Sequence, residues 1–225
     1  MTKSKILPFS MPPVAKHGML GQLAGAGAVA DNSRACFGGG TTDNGNAGMT
    51  DIIDYVEIAT EGDASDFGDL LSATRLTPVG TSNATRGLFS GGYNGSATNV
   101  IQYITIDTTG NSQDFGDLQS AKLTMSSCSS ETRGIFAGGG TSNEIGYVTV
   151  DTTGNASDFG NLTAGRGSLA SASNGVRGTF AGGNTGSDSN VIDFITIDST
   201  GNASNFGDLT TARDELAGSG NETYG

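Results

Sequence analysis

The sequence predicts an all-β protein, a β-propeller of four-stranded blades. Three observations carry this. The chain of 225 residues repeats one phrase four times, with anchors at Phe37, Phe89, Phe136 and Phe180 spaced 52, 47 and 44 residues apart, a period that belongs to propellers, solenoids and arrays. Each copy holds four short β-prone runs rather than a helical pattern, and a four-stranded meander per repeat is a propeller blade. Glycine, 37 of 225 residues, is about double its usual share of roughly 7 % and sits at fixed points of the repeat, which marks turns and close packing rather than disorder.

Residues 1–20 stand outside the repeat. They hold three of the four prolines, the lysines Lys3, Lys5 and Lys16, and the only histidine, His17. This stretch reads as an extended anchoring arm, and the alternative is a loose terminus. The prolines interrupt any apolar run, so it does not read as a signal peptide.

Residues 21–225 are the repeats. The first strand of each copy is rich in small residues: Leu23 to Val29, then Leu76 to Asn83, Leu123 to Ser130, Ser168 to Asn174 and Glu215 to Asn221. Small side chains suit a strand crowded by its own copies near a central axis. Asn or Asp turns follow. The second strand is Arg-Gly-x-Phe-x-Gly-Gly, as at Arg86 to Gly92. The third is the most β-prone, as in Val100 to Ile106 and Val191 to Ile197. Gly110-Asn111, Gly154-Asn155 and Gly201-Asn202, with Gly62-Asp63 in the first copy, read as tight hairpin turns. The fourth strand is the short Asp-Phe-Gly-Asp-Leu phrase.

Spacing divides the repeat into a constant and a variable part. The third-strand aromatic precedes the fourth-strand Phe by 12 residues in every copy (Tyr55 to Phe67, Tyr103 to Phe115, Tyr147 to Phe159, Phe194 to Phe206). From the last Gly of the Gly-Gly pair to that aromatic the count is 15, 11, 8 and 11. Length varies where backbone is solvated and recognition is built. One face of the propeller is therefore expected to be uniform and the other to give each blade its own character. The candidate contact residues on that variable-loop face are Asp43, Asn44, Asn46, Tyr93, Asn94, Asn143, Asn184 and Asp188. Arg213 to Thr223 reads as a fifth first strand. The chain then reads as the N-terminal portion of a longer propeller, or the extra strand closes the ring against the first blade.

Charge and composition narrow the chemistry. Eleven Lys plus Arg against 23 Asp plus Glu give a net charge of −12, which argues against a nucleic-acid partner, since phosphates need a basic face. There is no apolar run of 18 residues, so no helix inserts into a membrane. Cys36 and Cys128 fall on different strands of different copies and read as free thiols. A Ser or Cys nucleophile needs a base, and the one histidine lies in the arm, so no catalytic residues are assigned and the chain reads as non-enzymatic. Gly38 to Gly40 and Gly138 to Gly140 are not phosphate loops, because no helix or Lys follows them. The Asp-x-Thr-Gly-Asn-x-x-Asp turns, as at Asp107 to Asp114 and Asp151 to Asp158, gather oxygen ligands of the kind calcium takes, but read first as Asx-type turns. No metal or cofactor is expected. The repeated Arg34, Arg86, Arg133 and Arg177 read as residues that stack on or hydrogen-bond to a neighbouring blade rather than as an anion site.

The Gly-Gly after a strand, the aromatic third strand, the aromatic-x-x-Leu fourth strand and the basic residue after it (Arg75, Lys122, Arg166, Arg213) resemble kelch repeats, with Phe where kelch repeats usually have Trp. More closely, Asn-Val-Ile-x-Tyr/Phe-Ile-Thr-Ile-Asp-x-Thr-Gly-Asn-x-x-x-Phe-Gly-Asp-Leu resembles kelch-like propellers in the virions of tailed phages, particularly phages of marine cyanobacteria. The resemblance covers roughly residues 21 to 225. It implies a virion structural protein, as a fibre, tail appendage or capsid-surface component. Other virion proteins would hold the arm, a host-surface glycan or protein would meet the variable face, and homo-oligomers are expected. The copper site of galactose-oxidase-type propellers cannot be built with one histidine. The alternative is a cellular lectin-like propeller reading glycans with the same face.

Overall fold

The computed structural model describes residues 34–42, 48–72 and 78–220. The arm at 1–20, the first strand of the first repeat, the loop tip with Asp43, Asn44 and Asn46, the link containing Arg75, and residues 221–225 lie outside the described residues.

The described chain is all-β, with four antiparallel sheets in sequence order and a propeller-like arrangement. The first sheet holds β1 (Arg34–Gly38), β2 (Ile52–Glu57) and β3 (Ser65–Asp69). The second holds β4 (Val79–Ser82), β5 (Arg86–Ser90), β6 (Thr98–Thr105) and β7 (Gln113–Lys122). In the third are β8 (Ser126–Ser129), β9 (Arg133–Ala137), β10 (Glu144–Thr149) and β11 (Ser157–Asn161), and in the fourth β12 (Ala170–Ser173), β13 (Arg177–Ala181), β14 (Val191–Thr196) and β15 (Ser204–Asp208). Every strand in a sheet pairs with its sequence neighbour, so each sheet is a simple meander.

The small-residue strands β4, β8 and β12 lie side by side, and their hydroxyls stitch them together. Ser127 Oγ donates to Gly80 O at 2.9 Å, Ser129 Oγ to Ser82 O at 2.8 Å, Ser171 Oγ to Ser127 O at 2.6 Å and Ser173 Oγ to Ser129 O at 3.0 Å. A larger side chain would separate these strands. The fifth first strand expected after Arg213 does not form among the described residues, because 213–220 has no second strand to pair with. The segment still enters as its counterparts do, since the Glu215 amide donates to Ser168 O as Ser168 does to Thr124 O (3.0 and 2.7 Å), and all three residues share a left-handed backbone with φ of 51°, 52° and 56°. Among the described residues this fifth segment forms no ladder with β1, whose one strand partner is β2.

The core is three clusters, one in each gap between consecutive sheets. Ile53, Phe67 and Leu70 of the first sheet meet Phe89 and Ile104 of the second. Leu88, Ile101, Phe115 and Leu118 meet Phe136, Val148 and Val150. Ile135, Ile145, Phe159 and Leu162 meet Phe180, Ile195 and Ile197. The second-strand Phe of one sheet thus faces the fourth-strand Phe of the sheet before it, and each such buried ring contributes about 2–3 kcal/mol.

A bulge aims the fourth-strand Phe into the gap. Ile101 pairs with Gly116 and Gln102 with Asp114, so Phe115 has no partner opposite, and the same slip recurs in the other three sheets. Phe115 then meets Tyr103 edge-to-face, with centroids 5.9 Å apart and planes at 80°. Equivalent pairs are Tyr55–Phe67, Tyr147–Phe159 and Phe194–Phe206. This contact is the physical reason for the constant spacing between the two aromatics.

The Gly-Asn dipeptides do not form the tight turns expected of them. The reversal after β6 falls at Ile106–Asp107, where Thr108 N donates to Thr105 O at 3.0 Å, and seven residues, 106–112, separate the strands. Gly110 and Asn111 instead dock on the preceding sheet. Gly110 N donates to Phe67 O at 2.7 Å, Ser112 N to Asp69 O at 2.8 Å, and Asp69 N to Asn111 Oδ1 at 3.1 Å. The same set joins Gly154 and Asn155 to β7, and Gly201 and Asn202 to β11. The docking requires glycine on the receiving strand: a Cβ on Gly116, whose φ is +144°, would lie 2.5 Å from the Gly154 carbonyl carbon.

Candidate functional site

The variable connections follow one design with different tips. In the second sheet Gly91 and Gly92, at φ 64° and 91°, turn the chain out of β5, Tyr93 bridges Ala97, and Thr98 N returns to Gly92 O at 3.0 Å. In the fourth sheet Asn184 bridges Asp188 and Ser189 N returns to Gly183 O at 2.8 Å, so Asn184 stands where Tyr93 does and Asp188 where Ala97 does. The first sheet keeps the stem, with Thr41 bridging Met49 and Thr50 N bonded to Gly40 O at 3.1 Å. Its tip is longer, and Asp43, Asn44 and Asn46 lie there by sequence, outside the described residues. The third sheet has only a turn at 139–142, closed by Ser142 N to Gly139 O at 3.0 Å.

These tips share an edge with the links between sheets, because Gly92 N, Gly139 N and Gly183 N donate to the carbonyls of Lys122, Arg166 and Arg213. Asn94, Asn143 and Asp188 are exposed there, and Tyr93 is half-buried at the base of its hairpin. Asn184 is committed to the fold: its Oδ1 accepts from Gly186 N at 2.8 Å, its Nδ2 donates to Asp214 Oδ2 at 3.3 Å, and its backbone pairs with Gly167. The structure places Tyr93 with Asn94 on one tip and Asn184 with Asp188 on another, with Asn143 alone on the short third turn.

The opposite edge is regular. The reversals 83–85, 130–132 and 174–176 have three residues each, and 58–64, 106–112, 150–156 and 197–203 have seven. The repeated arginines act here between sheets, as expected. Arg34 Nη1 donates to Ile106 O, Arg86 Nη1 to Val150 O and Arg133 Nη1 to Ile197 O, at 3.2, 3.0 and 2.9 Å, each reaching the next sheet. Each also lies over an aromatic ring of its own sheet, Arg86 at 4.6 Å from the Tyr103 centroid. The Asp151 carboxylate is taken by Asn83 Nδ2 at 2.9 Å, a clamp between sheets rather than a free cation ligand. Among the described residues no group of three or more His, Cys, Asp or Glu is placed to hold a metal. Two shallow hollows of about 210 and 280 Å³ open on this edge, inside the seven-residue turns beside Tyr103 and Tyr147. They are smaller than the usual pocket for a drug-sized ligand.

Both cysteines are free. Burial pushes the Cys128 thiol up to about 12 and the Cys36 thiol up to about 11, which removes the thiolate a nucleophile needs. The fully buried charges are an ion pair: Arg166 Nη2 lies 3.0 Å from Asp193 Oδ2, both residues at 0 % exposure. Asp193 also accepts from the Thr163 amide and hydroxyl at 3.0 and 2.6 Å, while Arg166 donates to Phe180 O at 3.0 Å. Burial lowers the guanidinium pKa and Asp193 opposes the shift. The pair joins the third sheet's exit link to β14. The sequence did not point to it, because the equivalent positions are Asp54, Gln102, Gly146 and Asp193, so a carboxylate does not recur in every copy.

No protein-family model matches the chain, and no curated protein matches it in sequence. Among the described residues no helix is long and apolar enough to cross a membrane.

Proposed function

We propose that this chain is a non-enzymatic β-propeller of kelch-like blades that serves as a structural component of a tailed-phage virion, in a fibre, tail appendage or capsid-surface position. The arm at 1–20 attaches it to other virion proteins. The variable-loop face meets a host-surface glycan or protein. One observation supports this reading above the rest: the two edges of the sheets are built to different rules. On one edge every described reversal keeps its length, three or seven residues, and Arg34, Arg86, Arg133 and the Gly-Asn pairs of the second, third and fourth sheets join neighbouring sheets. On the other edge the tips differ in length and chemistry and expose Asn94, Asn143 and Asp188. Such variation on a constant scaffold suits recognition. The raised thiol pKa values and the engagement of Asp151 by Asn83 favour a binding module over a catalyst.

The test is peptide mass spectrometry on purified phage particles from the source of the sequence. Peptides of this chain at a fixed copy number per particle are expected. Their absence from particles, with the protein recovered instead from host cells, overturns the virion assignment and leaves a cellular glycan-binding propeller.

A further inference from the structure

The three interfaces between the described sheets are copies of one another, and the first and fourth sheets each leave the matching half of that interface exposed among the described residues. In the gaps the fourth-strand rings Phe67, Phe115 and Phe159 are each 2 % exposed, whereas Phe206 is 53 % exposed. The second-strand rings Phe89, Phe136 and Phe180 are buried, whereas Phe37 is 60 % exposed. Ile58, which corresponds to the fully buried Val150 and Ile197, is also exposed. Gly68 and Gly116 press against the backbone of the next sheet's Gly110 and Gly154, and Gly207 has nothing within 4 Å of its Cβ position. Arg177 lies over Phe194 and, unlike Arg34, Arg86 and Arg133, makes no hydrogen bond to a following sheet among the described residues.

We propose that the outer face of the fourth sheet receives the leading face of the first sheet of a second copy of this chain, head to tail, in the register that joins the sheets within one copy. Register fixes the contacts. Gly62 N donates to Phe206 O, Ala64 N to Asp208 O, and Asp208 N to the Asp63 carboxylate, which accepts as the Asn111 amide oxygen does. Phe37, Val56 and Ile58 of one copy cover Ile192, Phe206 and Leu209 of the other. Arg177 gains the Ile58 carbonyl. All of Gly62, Asp63, Ala64, Phe206 and Asp208 are exposed. The occupant is a second copy because one chain displays both complementary halves and leaves both exposed, so its own first sheet does not fill the site. Two different faces meet, so the contact is heterologous and either closes into a ring or extends. This inference is independent of what the variable loops bind.

The experiment uses the 225-residue chain in sedimentation velocity and light scattering from about 1 μM to about 1 mM, the span in which weak interfaces populate. Two variants accompany it: Phe206→Glu blocks the receiving face and Phe37→Glu the leading face. Both side chains are already more than half exposed, and circular dichroism checks that each variant folds. The wild type is expected to at least double its mass with concentration. Each variant alone is expected to remain monomeric, and an equimolar mixture is expected to form a one-to-one dimer through the two intact faces. A wild type that stays monomeric throughout overturns the proposal. An association that Phe206→Glu abolishes and the mixture fails to restore also overturns it, because that is a symmetric contact.

Discussion

The amide of Gly110 donates to the carbonyl of Phe67 at 2.7 Å, across the gap between two sheets. The Phe67 ring enters the core of that gap while its carbonyl receives the neighbouring turn, so one residue serves both the apolar and the polar part of the interface. Gly68 permits the approach, since a Cβ there would lie 2.5 Å from the Gly110 carbonyl.

Alanine at the glycine after the fourth-strand Phe is expected to act according to position. Gly116→Ala meets both an unfavourable φ and the Gly154 backbone, and should cost about 3–5 kcal/mol when overpacking and backbone strain combine. Gly207→Ala meets open space at a similar φ and should cost only the backbone strain, about 1–3 kcal/mol. Urea midpoints of the two variants at low concentration check the difference, and equal losses would remove the docking role of Gly116.

The arginine series separates in the same way. Arg86→Ala removes the hydrogen bond to Val150 O and the stack on Tyr103, a loss of about 1–2 kcal/mol. Arg177→Ala removes only the stack on Phe194 and should cost less than about 1 kcal/mol. Thermal melts in parallel decide the order.

Asp193→Ala leaves the Arg166 guanidinium buried without its counter-charge, and such a change typically costs about 3–5 kcal/mol. Glu144→Ala removes the partner of Lys122, whose own side chain is buried while Glu144 is partly exposed, so it should cost less than the Asp193 change, about 1–3 kcal/mol. Replacing both Arg166 and Asp193 by Met and Leu should recover most of the loss, and a double-mutant cycle in urea measures the coupling.

Cys128 ties stability to alkaline pH. The fold holds its thiol protonated, with the pKa raised from 9.0 to about 12. The unfolded chain ionises first, so the contribution is complete below pH 9 and is lost as pH rises toward 12, by about 1.4 kcal/mol per pH unit. Stability of Cys128→Ala should therefore fall less steeply than that of the wild type over that window. In the native protein near neutral pH, iodoacetamide should modify Cys128 far more slowly than in urea.

What the sequence made legible was whatever repeats. The strand order, the ring spacing, the crowding of small residues in β4, β8 and β12, and the inter-sheet role of the arginines all recur in copy after copy. The Gly-Asn dipeptides mislead because a turn rule is local, whereas Gly110 and Asn111 act on Phe67 and Asp69, over 40 residues away in sequence. The recurring Gly68, Gly116, Gly160 and Gly207 were the available signal for that docking. Arg166 with Asp193 stayed hidden because it occurs once. The tie of Asn184 to Asp214 stayed hidden because the partners are 30 residues apart. Asn143 and Asp188 could be placed on the variable edge from loop length alone, but their neighbours could not.

The proposed function assigns recognition to one edge and sheet-to-sheet contacts to the other. The most direct measurement is saturable binding of the labelled protein to a panel of marine cyanobacterial strains, comparing a triple alanine variant at Tyr93, Asn94 and Asp188 with an alanine variant at Thr109 and Thr200, both exposed on the regular edge. That division predicts binding to some strains, loss of at least tenfold in affinity for the triple variant, a change of about 1.4 kcal/mol, and unchanged binding for the other. Equal loss in both folded variants, or no loss in the triple variant, would contradict it.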